Sequence, residues 1–258
     1  MNALKGAVTA LLSCACLGAT AQAAHPWIAM PPKLAPEAYF SNLKDGQEIE
    51  APYVVRFGLT GIGIAAITKP VKRTGHHHLL VNNDLPMDFT KPLPFSDKYI
   101  HFGKGQMEQV FNMPPGDYTL RLVFADHRHI PNFVYSPPVK IKVTAQNKAV
   151  DPKTLVKTGA EILQPAAGST VRPPFRIAFH GAGLNISHVD ITDPGAGHFR
   201  LQLERGGKAE TFDFTSGDTE VWLTPPSGPM TAKVEYVDNA SGKVVHTSST
   251  VGFNVGNR

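Results

Sequence analysis

Residues 118–124 have the sequence YTLRLVF, in which Tyr, Leu, Leu and Phe alternate with Thr, Arg and Val. A period of two places alternate side chains on opposite faces of a strand, so this segment predicts a half-buried β-strand. Similar short segments occur at residues 53–57, 78–81 and 109–111, and turn residues separate them. Closely spaced strands of this kind, without long segments of helical period, are typical of β-sandwiches.

The chain contains an internal repeat. Residues 101–126 align with residues 213–238 at a constant shift of 112 without a gap, and seven of the 26 pairs are identical. Upstream, a shift of 120 aligns residues 78–81 with residues 198–201. The repeat predicts an all-β protein of two tandem immunoglobulin-like β-sandwich domains, at residues 35–146 and 158–256, joined by a polar linker.

Residues 1–23 have the pattern of a secretory signal peptide, with Lys5 before an apolar stretch and a small-x-small cleavage site at residues 21–23. The apolar stretch is shorter than the roughly 20 residues that span a bilayer, so we expect a periplasmic or secreted protein without a membrane span. Both cysteines, Cys14 and Cys16, lie inside this segment. The mature chain is therefore expected to have no disulfide and no thiolate-ligated metal site.

The charge of the chain is mildly positive. The formal net charge is +4 at pH 7 and falls to +3 when Lys5 is removed with the predicted signal peptide. The sequence has no long run of basic residues. We therefore expect no nucleic-acid partner.

Six of the 11 histidines fall in three short clusters: GHHH at residues 75–78, HFG at 101–103 and DHRH at 126–129. Imidazole is the commonest metal ligand in proteins. The first cluster opens a predicted strand C (residues 76–82), and the second lies at the corner between predicted strands D (near 98–102) and E (106–112). The third follows predicted strand F (117–126). In an immunoglobulin-like sandwich these connections share one end, so the clusters are expected to meet there. The predicted metal ligands are His76, His77, His78, Asp126 and the histidines His101, His127 and His129.

The repeat also indicates that the fold does not require these histidines. In the alignment above, His76 corresponds to Ala196, His77 to Gly197, His101 to Asp213 and His127 to Asn239. Strand periodicity places His76 and His78 on one face and His77 on the other.

The donor types predict copper, with zinc as the alternative. All-imidazole sites suit both ions, and copper(II) has the higher intrinsic affinity. A second copper(II) site at the chain end is the less favoured alternative: cleavage before His25 would expose an amine beside an imidazole, as in histidine-brace proteins. Cleavage after Ala23 fits the small-x-small pattern better than cleavage before His25.

The combination of TGHHHLLV at residues 74–81, HFGKGQ at 101–106 and ADHRH at 125–129 resembles a family of bacterial secreted domains of unknown function, often labelled rod-shape-determining. The resemblance covers about residues 38–145 and implies the first domain boundaries and the choice of histidines, but no activity. Two positions depart from the family pattern. Met107 stands where the family has threonine, and residues 131–133 replace a more histidine-rich continuation.

Three classes of function remain open at this stage. The first is a metal-binding protein that captures, stores or delivers copper, with another periplasmic protein as a potential partner. The second is a metalloenzyme with three imidazoles and one open position, for which Asp126 is the only general base in view. The third is a non-catalytic adhesion or assembly module of the cell envelope. The sequence favours the first class and does not decide whether there is catalysis.

Overall fold

The computed structural model describes residues 25–86 and 88–257, and the predicted signal peptide lies outside them. The strands of the first half are β1 (Glu37–Phe40), β2 (Gln47–Ala51), β3 (Tyr53–Thr60), β4 (Gly63–Ile64), β5 (Thr74–Val81), β6 (Tyr99–His101), β7 (Glu108–Phe111), β8 (Gly116–Ala125), β9 (Pro131–Tyr135) and β10 (Val139–Gln146). A short 3-10 helix at Pro152–Thr154 follows them. The strands of the second half are β11 (Gly159–Gln164), β12 (Thr170–Val171), β13 (Phe175–Ala182), β14 (Asn185–Ile186), β15 (Ala196–Arg205), β16 (Lys208–Asp213), β17 (Glu220–Leu223), β18 (Gly228–Asp238), β19 (Val244–Thr247) and β20 (Val251–Val255). No helix in this part of the chain is long and apolar enough to cross a bilayer.

The first half forms a sandwich of two sheets. One sheet has the order β1-β3-β7, and the other has the order β2-β10-β8-β5-β4, with β6 added to β5 and β9 added to β8. Leu120, Leu122 and Phe124 of β8 are fully buried and belong to the core between the sheets, together with Phe57 and Leu79. The alternation in residues 118–124 therefore marks a strand that covers the core, as predicted.

The second half repeats this topology strand for strand. Its sheets have the orders β11-β13-β17 and β12-β20-β18-β15-β14, with β16 added to β15 and β19 added to β18. The prediction of two tandem immunoglobulin-like sandwiches is confirmed by this strand order.

The strand register corrects one part of the internal alignment. His78 on β5 lies opposite His101 on β6, and Arg200 on β15 lies opposite Asp213 on β16. Since His101 and Asp213 are counterparts at the shift of 112, the counterpart of His78 is Arg200. The predicted pairing of His78 with His198 is therefore wrong by two residues, and the shift in this strand is 122.

With the corrected shift, the histidine that both copies share is His76, whose counterpart is His198 rather than Ala196. The preceding glycines, Gly75 and Gly197, also become counterparts, and glycine is required at both positions for the same structural reason. A Cβ at either position would come too close to a main-chain oxygen of the neighbouring strand, β8 or β18.

The position of β6 also differs from the sequence prediction. The segment near residues 98–102 was expected to be a strand D leading into strand E, whereas β6 pairs with β5 in the larger sheet. This pairing brings His101 directly across from His78, so two of the histidine clusters share a strand pair.

The two sandwiches pack against each other through reciprocal main-chain contacts. The amide of Ile64 donates to the carbonyl oxygen of Gly217 (2.9 Å), and the amide of Ile186 donates to that of Gly105 (3.0 Å). Ile64 and Ile186 are counterparts in the repeat, and so are Gly105 and Gly217. The domains are therefore related as the subunits of a two-fold dimer are, in which the same patch is used by both partners.

Buried acidic residues reinforce this interface from both sides. Glu108 of the first sandwich accepts hydrogen bonds from the fully buried ring of His180 (2.9 Å) and from the amide of Gly183 (3.0 Å). Its counterpart, Glu220, accepts one from the hydroxyl of Tyr39 (3.3 Å) in the first sandwich. Removing either carboxylate would leave buried donors unpaired, which is costly.

Candidate metal centre

Four histidines from three separate segments converge in the first sandwich. One ring nitrogen from each of His76, His78, His101 and His129 lies within 4.8 Å of all the others. His76 and His78 point to the outer face of β5, away from the core between the sheets. His101 comes from β6 beside them, and His129 comes from the turn after β8. We call these four residues the histidine cluster.

The spacing of the four rings is close to that of a coordination shell. The Nε2 atoms of His76 and His78 are 2.8 Å apart, and those of His101 and His129 are 3.0 Å apart, so in each pair one ring donates and the other accepts. Four nitrogens placed tetrahedrally about 2.0–2.1 Å from a zinc ion are separated by about 3.3 Å. Movements of about 1 Å would therefore close the cluster around a single ion.

Hydrogen bonds within the turn after β8 fix the position of His129. The carboxylate of Asp126 accepts hydrogen bonds from the amides of Arg128 (2.8 Å) and Ile130 (3.0 Å) and so holds the turn. His129 has φ of +65°, and the equivalent turn of the second sandwich has Gly242 at φ of +67°. A histidine in a backbone conformation that favours glycine is uncommon, and such strain is concentrated at functional sites.

The ring of His101 occupies a space that only a glycine leaves open. A Cβ at Gly103 would overlap the Cε1 and Nε2 atoms of the His101 ring. In the second sandwich, where Asp213 replaces His101, the counterpart of Gly103 is Thr215. Gly103 is not among the residues predicted for the site, although the difference between Gly103 and Thr215 in the two copies of the repeat is a signal for it.

An aromatic residue covers one side of the cluster. Phe95 belongs to a segment at residues 88–98, which we call the strap, and it is 63% exposed. Its ring lies edge-to-face with the rings of His101 (5.1 Å between centroids) and His129 (4.8 Å). The amide of Leu93 in the strap donates to the carbonyl oxygen of His129 (2.8 Å), which ties the strap to the ligand-bearing turn. Phe95 is also absent from the residues predicted for the site.

Burial keeps two rings of the cluster, those of His76 and His78, uncharged. It lowers the pKa of His76 to about 2 and the pKa of His78 to about 3, and the neighbouring imidazoles lower both further. Burial and the nearby His129 also lower the pKa of His101. Within the described part of the chain, the Nδ1 atoms of His76 and His78 are buried without a hydrogen-bond partner. The neutral imidazole is the form that binds metal ions.

His77, which the sequence analysis included among the ligands, lies on the opposite face of β5. Its ring packs in the core between Phe57 (5.5 Å between centroids) and Phe124 (5.3 Å). Burial lowers the pKa of His77 to about 3. The structure therefore does not bring His77 into the cluster, because neighbouring side chains on a strand point in opposite directions.

Two further predicted ligands, Asp126 and His127, also lie outside the cluster. The carboxylate of Asp126 is bound to the turn amides and to the guanidinium of Arg128 (3.0 Å). His127 is partly exposed in the same turn, and His129, two residues later, belongs to the cluster instead. The N-terminal candidate His25 lies on the second sandwich, 3.3 Å from Glu210.

The second sandwich has an ion pair where the first has the cluster. Asp213, the counterpart of His101, accepts hydrogen bonds from Arg200 (2.8 and 3.1 Å) and lies 3.3 Å from Nε2 of His198. The other ring nitrogen of His198 lies 2.6 Å from the Oδ1 atom of Asn239. In the second sandwich these groups therefore satisfy one another by charge and hydrogen bonding. In the first sandwich, the counterparts of His198, Arg200 and Asp213 are three histidines of the cluster, and the fourth, His129, stands at the turn position of Gly242.

Residues 55–144 match the model of a family described as a domain of unknown function (DUF4399). The matched region contains all four residues of the histidine cluster and most of the first sandwich. No curated protein matches the chain.

Similar solved structures are composed of fibronectin-like or immunoglobulin domains, or contain a region that aligns with this chain. The fibronectin(III)-like modules of CbhA from Clostridium thermocellum are 12% identical, with 86% of this chain and 94% of that chain covered and a TM-score of 0.24. Immunoglobulin domains 1–4 of Sidekick-1 are 8% identical, with coverages of 85% and 52% and a TM-score of 0.30. Dimeric latent PorU from Porphyromonas gingivalis is 11% identical, with coverages of 86% and 20% and a TM-score of 0.31. The fold assignment above rests on the strand order of this chain itself.

Proposed function

We propose that this protein binds one transition-metal ion, copper in preference to zinc, in the histidine cluster of its first sandwich. The observation that carries the proposal is the convergence of four imidazole nitrogens within 4.8 Å of one another. The rings of His76 and His78 are fully buried and held neutral by that burial, and the second sandwich shows that the fold has another way to fill these positions. Metal coordination would explain, by a single physical cause, why four imidazoles converge at these positions.

The donor set favours copper. Imidazole nitrogen suits both copper and zinc, but copper(II) binds nitrogen ligands more strongly in the Irving–Williams order. The four imidazoles of the cluster would hold a copper ion through nitrogen donors alone. The signal-like pattern of residues 1–23 supports a periplasmic or secreted location.

The number of donors favours capture, storage or delivery over catalysis. A catalytic site of the zinc type has three protein ligands and an open position for water, and four imidazoles fill that shell. Among the described residues, the group of potential metal ligands consists of these histidines alone, and Asp126, the general base considered from the sequence, is held in its turn. A protein that hands its metal to a partner is the function these observations support best.

Tag-free mature protein is expected to bind one equivalent of copper(II), with a nitrogen-coupled electron paramagnetic resonance spectrum. The double variant His101→Ala with His129→Ala removes the two partly exposed ligands. Loss of a residue that only hydrogen-bonds to a ligand lowers metal affinity about 10–100-fold, so the double variant should lower the copper affinity by more than this. Metal analysis after gel filtration and competitive titration measure both values. Copper uptake by the double variant equal to that of the wild type would disprove the site.

Two matched variants serve as controls for this experiment. His127→Ala removes a histidine of the same turn that lies outside the cluster, and it should retain full copper binding. His78→Arg with His101→Asp installs the ion pair that Arg200 and Asp213 form at the equivalent register positions. This variant is expected to fold, as judged by circular dichroism, and to bind no copper.

Gly103→Ala is expected to weaken copper binding at least about 10-fold, because the new Cβ overlaps the His101 ring and pushes a ligand out of place. The ring is the end of a side chain that can rotate, so the melting temperature of the metal-free protein should change little. Isothermal titration and thermal melts of the same samples separate the two effects. An unchanged copper affinity would show that Gly103 does not position His101.

A further inference from the structure

A cleft of about 600 Å³ lies between the two sandwiches, next to the histidine cluster. The first sandwich contributes His101, Gly103 and Lys104 to its lining, and the second contributes Asn185 and Asp193. This volume falls within the range of small-molecule sites, which often lie at domain interfaces. The second sandwich, which has no histidine cluster in its described residues, thus forms one wall of a cavity that adjoins the cluster of the first.

The cleft reaches the coordinating edge of His101. Because Gly103 has no side chain, the Cε1 and Nε2 atoms of His101 lie where a Cβ of residue 103 would project. Nε2 is also the atom that faces His129 inside the cluster. On another side of the cluster, Phe95 of the strap packs against both of these rings. The cleft therefore offers a small molecule an approach to a metal ion in the cluster that does not pass Phe95.

The polar groups of the cleft are mainly hydrogen-bond donors. Lys104 supplies an exposed ammonium group, and Asn185 supplies an amide. Gln106 also lines the cleft, and its side-chain oxygen accepts a hydrogen bond from the amide of Lys104 (3.0 Å), so its NH₂ group is left to donate. Asp193 is the single acid in the lining. A cation with amide donors suits a carboxylate, whose oxygens accept from all of them.

We propose that this interdomain cleft binds a small carboxylate-bearing chelator, which approaches the metal ion in the histidine cluster along the path beside Gly103. The proposal rests on the proposed function for the metal, but the cleft itself is formed without it. The second sandwich then has a defined role, since it completes the cleft that binds the chelator. Carboxylate oxygens from this side would be additional donors to a copper ion held by the histidine cluster.

The test uses citrate as the probe and isothermal titration of the full mature chain, both metal-free and loaded with copper(II). We expect citrate to bind both forms, and to change the paramagnetic resonance spectrum of the loaded form while the copper stays on the protein through gel filtration. Lys104→Glu places a like charge in the cleft and should weaken citrate binding at least about 10-fold. Copper binding in the absence of citrate should be unchanged in this variant. Lys98→Glu, a charge reversal at an exposed lysine outside the cleft lining, is the control and should bind citrate as the wild type does.

The outcomes separate this proposal from the metal proposal. If citrate fails to bind, or binds the wild type and Lys104→Glu equally well, the cleft proposal is overturned whatever the copper result. Removal of copper by citrate without a ternary complex overturns it as well. If copper alone does not bind the wild type, the metal proposal fails, and citrate binding to the metal-free protein with its loss in Lys104→Glu would still support the cleft as a carboxylate site.

Discussion

Lowering the pH from 7 to 5 is expected to destabilise the metal-free protein by about 4–6 kcal/mol. Three buried histidines cause this loss, because burial lowers the pKa values of His76, His77 and His78 to about 2, about 3 and about 3. In the unfolded chain the same rings titrate near the ordinary pKa of about 6.5.

The sign follows from proton uptake. Above pH 6.5 the three rings are neutral in both states, so their full contribution to stability is present. Below pH 6.5 the unfolded state binds protons that the folded state refuses, so stability falls with pH until the rings also protonate in the folded state. Each ring accounts for about 2 kcal/mol between pH 7 and pH 5.

Urea denaturation of the metal-free protein at several pH values between 7 and 5 measures this effect, in a range where most carboxylates stay ionised. His246→Gln removes a partly buried histidine of β19 outside the cluster and is the control for the loss of a histidine as such. A free energy of unfolding that stays flat across this range would show that the rings are not held neutral in the folded protein.

Gly105→Ala is expected to destabilise the protein by about 3 kcal/mol or more, which is one of the larger effects of a single methyl group. The added Cβ would overlap the main-chain oxygen of Ile186 in the other sandwich. A backbone atom cannot rotate away, so the interface must open and lose the hydrogen bond between Ile186 and Gly105. Gly217→Ala should behave alike, because its Cβ meets the main-chain oxygen of Ile64.

Gly46→Ala is the matched control for this prediction. Gly46 has a similar positive φ (+75°, against +91° for Gly105), but a Cβ there has nothing within 4 Å. Gly46→Ala should lower the free energy of unfolding by only about 1–2 kcal/mol, which is the cost of a residue with a Cβ in the left-handed conformation. Calorimetric melting of the three variants compares them directly. Equal melting temperatures for Gly105→Ala and Gly46→Ala would contradict the reciprocal interface.

The fold was predictable because its signals are local. Alternating segments such as residues 118–124 showed the strands, and identical turn residues such as Gly116 and Gly228 showed the repeat. The contact between the two sandwiches was not predictable. It depends on which glycine meets which backbone oxygen across a surface that no local pattern describes.

The histidine cluster was predictable only in part. The sequence placed the three histidine segments at one end of the sandwich, and the structure brings four of the predicted ligands together. The choice of His129 over His127 depends on the turn that Asp126 holds, in which residue 129 adopts a positive φ. The exclusion of His77 follows from strand alternation, which already places His77 on the face opposite His76 and His78.

The sequence by itself determined the class of fold, the repeat and the group of imidazoles from which the site is drawn. Tertiary structure alone decided the register of β5 and β15, and with it the pairing of His76 with His198 and of His78 with Arg200. The physical reason is the period of the β-strand. A slip of two residues keeps every side chain on its own face, so the pattern of apolar residues fits both registers, and only the hydrogen-bonded partners on the neighbouring strands distinguish them.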